Sequence, residues 1–443
     1  MDMNKIRPEQ RAEVFNKLLR SLIDGGNAKA AKEAKAFTED AKPRDLADAV
    51  DALLAEGYSE AKIKKAVSRL INLMYNELKK HEAKPPRGER FIASLMAENA
   101  ALLKLLEDGK AVNMALNSGT GRTDGKRAAL LDLQKVLTKL NDIEQHYIKK
   151  ENILFPWFER RYPKYRCVRL MWDIENDVRR GLKEAGALCS SMLENGAKKD
   201  LAPLNMLLGM LYFDLNTVAF RENCALFPIS LELMEPEEAE ELFEEASAIG
   251  YAFLDKKAVD RLEGPEANIL AAARIRLPKK KQVMDNNSAQ EGGQSHAKAA
   301  SEDSSPLVMQ AHAGFTGRTG RLDPEVLAAM FERLPVDLSY VDAEDKVQWF
   351  SDSQHRIFAR SPAIIGRDVR NCHPAGSVDR VMAIIDAFKS GKKDREEFWI
   401  QQNDRFIHIE YFALYSKDGT YLGVLESSQD ITELRALKGQ KRL

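Results

Sequence analysis

The chain has 443 residues, 44% hydrophobic, 30% charged and only 7% aromatic, and its 67 Lys and Arg nearly cancel its 68 Asp and Glu. That length exceeds what one core can fill and predicts two to four domains, mostly helical given the abundance of Lys, Glu, Leu and Ala. The balanced charge excludes an overall field that would gather nucleic acid or an anionic membrane; with no run of about 18 apolar residues and no signal-peptide core in MDMNKIRPEQRAEVF, a soluble cytoplasmic protein is expected.

Residues 8–80 read as a small helical domain. Val14, Leu18, Leu19 and Leu22 keep helical spacing, DGGNAKAAKEAKAF breaks and restarts the pattern, and a turn at Gly57 followed by Ser59 as N-cap separates two further helices. Pro85 and Pro86 then interrupt, since neither fits a helix interior. Within 88–245 come four longer helices, at about 88–108, 127–160, 165–195 and 202–232, which in sequence make an antiparallel four-helix bundle. KKENILFPWFERR in the second helix is echoed by FRENCALFPISLE in the fourth, and in both the proline is expected to end or kink the helix.

The apolar stripes of these helices each enclose one glutamate: Glu98 among Phe91, Leu95, Leu102 and Leu105; Glu151 among Leu140, Tyr147 and Leu154; Glu175 among Met171, Val178 and Leu182; Glu222 among Leu211, Val218 and Ala225. Each lies about ten residues from a helix end, so in an antiparallel bundle the four should meet in one layer about 15 Å from that end. Four ionised carboxylates cannot share a buried layer uncompensated. Two solutions stand open. One is a metal, as in carboxylate-rich bundles. The other is a polar network in which Arg179, one turn from Glu175, and Lys150 and Arg221, flanking the other pair, supply the charge.

Residues 278–322 are polar and rich in Ser and Gly, too poor in large apolar side chains to offset chain entropy, and read as a disordered linker in or near which His296 and His312 are solvated. Over 328–436 the order is two strands around a turn at Ala343-Glu344-Asp345, a helical middle over about 353–390, and three alternating strands with turns at Asn403-Asp404 and Lys417-Asp418-Gly419. In GRDVRNCHPAGSVDRV, Cys372 and His373 stand together, and either is a candidate axial ligand for haem or a redox-responsive group, or a structural residue. Cys167, Cys189, Cys224 and Cys372 lack CxxC spacing and are expected to be reduced thiols.

That strand order, closing on SSQDITELRALKG with Asp430-Ile431-Thr432 at the exit, resembles a PAS domain with a five-stranded antiparallel sheet. The resemblance implies a cavity for haem or another small ligand, or homodimerisation. IEQHYIKKENILFPWFERR resembles the His-to-Glu helix of hemerythrin-like (HHE cation-binding) domains, and the whole arrangement is similar to prokaryotic proteins with an N-terminal domain of unknown function of the DUF 438 type. Hemerythrin-like proteins hold two irons with about five histidines. Here only His81 and His146 of seven fall near the bundle, and His146 to Glu151, at i to i+5, are about 140° apart on a helix.

The expectation is therefore a degenerate hemerythrin-like bundle with Glu98, His146, Glu151, Glu175 and Glu222 as candidate metal ligands for iron. The chain is expected to be a non-enzymatic sensor that responds to redox state, iron or a small ligand and acts through a protein partner, with no nucleic acid or membrane involved. The alternative is an iron- or oxygen-binding protein built on a residual carboxylate site. Without a Gly-rich phosphate loop, a G-x-S-x-G or a Cys/His dyad on suitable elements, catalysis is not expected.

Overall fold

Most elements begin where a proline or an apolar stripe dictates. The computed structural model describes residues 8–23, 42–118, 123–162, 167–194, 200–275, 315–317, 320–353, 356–373, 375–402 and 404–440. Helices α1 (Pro8–Ile23), α2 (Pro43–Ala55), α3 (Glu60–Leu73) and α4 (Tyr75–Lys80) come first. Pro43 opens α2, where its missing N–H would have had no helical partner. Phe15, Leu19, Leu53, Ile63 and Leu70 form a core that also takes in Leu170 and Cys224. These helices therefore bury their apolar faces partly against the helices that follow, reinforced by Lys64 on Asp173 (2.6 Å) and on Asp177.

The helical body continues with α5 (Phe91–Asn117), α6 (Thr123–Leu140), α7 (Ile143–Lys149), α8 (Phe155–Arg161), α9 (Val168–Glu194), α10 (Ala202–Arg221) and α11 (Phe227–Leu233). Helix α5 packs on α6, α6 on α9, α9 on α10 and α10 back on α5, a closed ring around Phe91, Leu102, Leu137, Val178 and Leu211. The first long helix runs nine residues past the expected end at 108, because Gly109 lies against the Tyr212 side chain rather than capping the helix. The second is interrupted at 141–142. Helices α12 (Pro236–Ile249), α13 (Lys256–Glu263) and α14 (Pro265–Ile275) follow, none of them with a counterpart among the expected helices.

The echoed prolines neither end nor break their helices. A single π turn precedes each: Lys150–Leu154 before Phe155-Pro156, and Glu222–Leu226 before Phe227-Pro228. In both, the Phe N–H bonds the carbonyl five residues back, Phe155 to Lys150 and Phe227 to Glu222. The next carbonyl, of Glu151 or Asn223, thereby loses its i+4 donor, and its i+5 residue is a proline with no N–H. Both carbonyls are satisfied from outside the helix. Asn223 O accepts from the Ala83 N–H at 2.7 Å, and Glu151 O accepts from Arg367 Nη1 at 2.9 Å.

Most of the expected linker, residues 278–314 with His296 and His312, lies outside the described residues. Its last part is not unstructured: β1 (Phe315–Gly317) and β2 (Gly320–Leu322) pair as an antiparallel hairpin. After α15 (Pro324–Arg333), strands β3 (Asp337–Asp342), β4 (Val347–Phe350), β5 (Arg395–Gln402), β6 (Arg405–Tyr415) and β7 (Tyr421–Asp430) form one antiparallel sheet in the order β4-β3-β7-β6-β5. Two short 3₁₀ turns, Pro362–Ile364 and Val369–Cys372, and α16 (Ala375–Lys389) supply Ile364, Val369, Ile385 and Phe388 to a core shared with Val341, Ile407, Ile409, Tyr411 and Val424 of the sheet. The β3–β4 turn closes as its sequence suggests: Asp345 has φ 65°, and Asp342 Oδ1 accepts from the N–H groups of Glu344 and Lys346. Helix α17 (Thr432–Ala436) leaves the sheet, its Thr432 hydroxyl held by Asp430 at 2.6 Å. Among the described residues, no helix is long and apolar enough to cross a membrane.

Candidate functional site

At mid-height the helical ring carries a buried charged layer. Glu98, His146, Lys149, Lys150, Glu175 and Glu222 are each at most 1% exposed. Lys150 reaches Glu175 Oε1 at 2.6 Å and also bonds Glu222. His146 bridges the other way, Nδ1 to Glu98 Oε2 at 2.7 Å and Nε2 to Glu222 Oε2 at 2.9 Å. Both contacts are hydrogen bonds only with a proton in each, so the Glu98–His146–Glu222 chain holds two. Lys149 pairs with Glu98 and donates to Gly250 O at 2.8 Å, while Ala252 N–H donates to Glu98 at 2.7 Å. Gly250 makes this possible: at φ 95° it turns the chain after α12 so that its carbonyl and the Ala252 amide face the layer.

Four of the five residues singled out from the sequence thus converge, and Glu151 does not. It lies on the outer side, where Arg179 holds both its oxygens at 2.8 and 3.1 Å together with the partly exposed Glu144. Arg221 does not serve the carboxylates, since its guanidinium points to Ser68 of α3 at 2.8 Å. Lys149, unforeseen, is the second ammonium in the layer. Its only sequence signal was its place beside Lys150, because helical periodicity put it off the buried face.

An iron pair does not fit these residues. Both oxygens of Glu98, Glu151 and Glu222 and both nitrogens of His146 are engaged, and a dication among them would have to displace Lys149 or Lys150, neither of which reaches water. Among the described residues the only cluster with metal-ligand spacing is Glu397, His408 and Glu410 on the outer face of the sheet, and Arg395 already sits on both of its glutamates.

The layer divides its charge unequally. Burial would push the Glu222 carboxyl up, but Lys150 and His146 outweigh it and hold it at about 2. For Glu175 burial wins over Lys150, and the neighbouring Glu151 adds to it, so this carboxyl stands well above the usual range. Among the described residues its Oε2 has no donor, and a proton on Glu175 turns its contact with Glu151 into a hydrogen bond. Lys150 stays an ammonium: burial pulls it down, and Glu175 and Glu222 more than restore it.

Glu222→Gln is therefore expected to destabilise at pH 7 by about 2–3 kcal/mol, whereas Glu175→Gln, which mimics the protonated acid, leaves stability within about 1 kcal/mol or raises it. A depressed carboxyl stabilises above its unfolded value near 4.3 and loses that contribution as pH falls toward about 2. The Glu222→Gln deficit should accordingly shrink on acidification over that window, as urea denaturation at several pH values will measure.

The second feature is the seam between the helical body and the C-terminal domain. Arg367, 3% exposed at its side chain, holds Glu159 of α8 through Nε (2.8 Å) and Nη2 (3.0 Å) while Nη1 takes the freed Glu151 carbonyl. Asn152 donates to Ala359 O at 3.0 Å, and Ser361 bonds Glu245 of α12. Beside these contacts lies a cavity of about 890 Å³. Phe358, Cys372, His373, Ile384 and Tyr411 line it from one side, and Ile148, Glu151 and Trp172 from the other. Its size lies in the range of small-molecule sites.

The family model of the PAS domain matches residues 327–432. That stretch is a PAS domain. Solved structures similar to the chain include a C-terminal domain from Streptococcus mutans, 28% identical, covering 29% of this chain and 98% of that one at a TM-score of 0.27. A sensory box sensor histidine kinase from Vibrio cholerae is 17% identical, covering 24% and 90% at 0.20. The PAS domain of a protein from Colwellia psychrerythraea is 18% identical, covering 25% and 97% at 0.21. No curated protein matches the chain.

Within the PAS domain, Cys372 and His373 both reach the cavity from the end of the second 3₁₀ turn. Burial pushes the Cys372 thiol up, more than Arg367 and Arg360 lower it, and its Sγ donates to Asp368 O at 3.6 Å. A protonated thiol so placed is a weak nucleophile. Burial lowers His373, so its ring is neutral near pH 7. The inward strand positions are Ile407, Ile409 and Tyr411, while Phe406, His408 and Phe412 point the other way.

Proposed function

We propose that the chain is a non-catalytic sensor in which the PAS domain holds a small ligand and hands its occupancy to the helical body, which acts on a protein partner. A PAS domain points to a sensory or signalling role. What carries the reading to this chain is the position of the cavity: Ile148, Glu151 and Trp172 belong to the helices, so an occupant touches both units at once. Arg367 adds a second tie, since it bonds the π turn that carries Glu151. Homodimerisation through the PAS domain would supply a further route of output.

The helical body reads best as a degenerate hemerythrin-like bundle behind a DUF 438-type domain. In support stand the ring of four helices, one buried glutamate per helix and the twin π turns. In place of metal it carries Lys149 and Lys150. The iron- or oxygen-binding alternative lacks support in this donor set.

Filling the cavity tests the coupling. Ile384→Trp places bulk where a ligand would sit, and amide hydrogen exchange of the full chain should change in residues 148–161 as well as in 357–384. A response confined to the PAS domain would overturn the reading.

A further inference from the structure

Apart from Arg380, an exposed residue of α16, the charges around the cavity are committed. Arg360 pairs with Glu426 at 3.1 Å, with side-chain exposures of 16% and 14%. Arg367 spends its donors on Glu159 and the Glu151 carbonyl, and Arg179 holds Glu144 and Glu151. At the rim, Glu396 and Glu397 are engaged by Lys393 and Arg395. A charged ligand seated beside Tyr411 and His373 would face only Arg360, Arg367 and Glu426, whose charges are already paired, and burying such a charge unpaired costs several kcal/mol.

Tyr411 and His373 are two of the lining groups that have no hydrogen-bond partner among the described residues. Tyr411 is 8% exposed and its hydroxyl is protonated, since burial pushes it far above its usual range. Together they offer a phenol O–H and a neutral imidazole, which can give one proton and accept another. Phe358, Ile384, Ile409 and Trp172 give the wall an apolar, partly aromatic stretch. A buried donor left unmet is costly, so these two groups ask for a matching polar atom on an otherwise apolar body.

We propose that the cavity takes an uncharged aromatic molecule bearing a single hydroxyl or carbonyl, bound by the Tyr411 hydroxyl and the His373 ring and touched from the helical side by Trp172. This rests on the sensor reading only in taking the cavity as the ligand site. The two rings of naphthol and naphthalenesulfonate are the same, and at pH 7 only the second is charged, so they separate the ligand class from the site itself.

Isothermal titration of the full chain is expected to give naphthol a Kd at least roughly tenfold lower than naphthalenesulfonate. Tyr411→Phe should weaken naphthol roughly fivefold, the loss of one hydrogen bond, with little effect on the sulfonate. Ile384→Trp should abolish naphthol binding, and Trp172 fluorescence, identified by its loss in Trp172→Phe, should be quenched in the wild type. Equal or tighter binding of the sulfonate overturns the uncharged class while leaving the sensor reading standing. Naphthol binding that Tyr411→Phe and Ile384→Trp both leave intact overturns the assignment to these residues. Binding of neither probe overturns the cavity as a ligand site, and the sensor reading with it.

Discussion

Lys150→Ala is expected to lower the unfolding free energy by about 3–5 kcal/mol, the range for removing one partner of a buried ion pair. The ammonium is fully buried between Glu175 and Glu222 and lies 4.6 Å from the centre of the Tyr147 ring, so its loss strands a carboxylate that water cannot reach. The deficit has a pH signature. In the wild type, Lys150 and His146 hold Glu222 down and stabilise the fold above the ordinary carboxyl range; in the variant much of that contribution is missing at neutral pH. As pH falls from 7 toward 4, Glu222 of the variant takes up a proton and the two proteins converge. Urea denaturation followed by circular dichroism at pH 7 and 4.5 reads both effects. Lys150→Met combined with Glu222→Leu and Glu175→Gln should recover most of the stability, since apolar replacement of a whole buried pair is often neutral or better. A single-variant loss below about 1 kcal/mol would show that water reaches the layer.

Arg367→Ala is expected to release the PAS domain from the helices while both units stay folded. The substitution removes a two-pronged contact to Glu159 and orphans the Glu151 carbonyl, each loss worth about 1–3 kcal/mol in a seam this closed. Protection of amides in residues 148–161 and 357–369 should fall by roughly 30-fold, which corresponds to about 2 kcal/mol. Arg367→Lys should not rescue it, because one ammonium cannot span a carboxylate and a carbonyl at the same time as a planar guanidinium does. Exchange that quickens only inside the PAS domain, with the first π turn unchanged, would mean that the turn finds its donor elsewhere.

Periodicity carries far in this chain, and its reach has a physical limit. Helical spacing put Glu98, Glu175 and Glu222 on apolar faces, and all three are buried, because the face a residue shares is fixed by 100° steps along one helix. Alternation and turn residues were likewise enough for the five strands of the PAS sheet, where register depends on neighbours close in sequence. The same arithmetic has no place for the π turns before the two prolines. It assumes 3.6 residues per turn throughout, and a π turn inserts an extra residue that shifts the register locally. It also set Lys149 off the buried face, although a side chain with four methylenes can swing its ammonium into the layer from there.

The amino-acid order therefore settled which helices carry an acid inward and which strands build the sheet, since both follow from local repeats. Folding in three dimensions settled how those acids are neutralised and what the two units share. Lys149, Lys150 and Arg179 meet their carboxylate partners across 25 to 72 residues of chain, and Arg367 meets Glu159 across 208. No local repeat encodes such distances, because the energy of an ion pair or of a freed carbonyl depends on what stands opposite it in space.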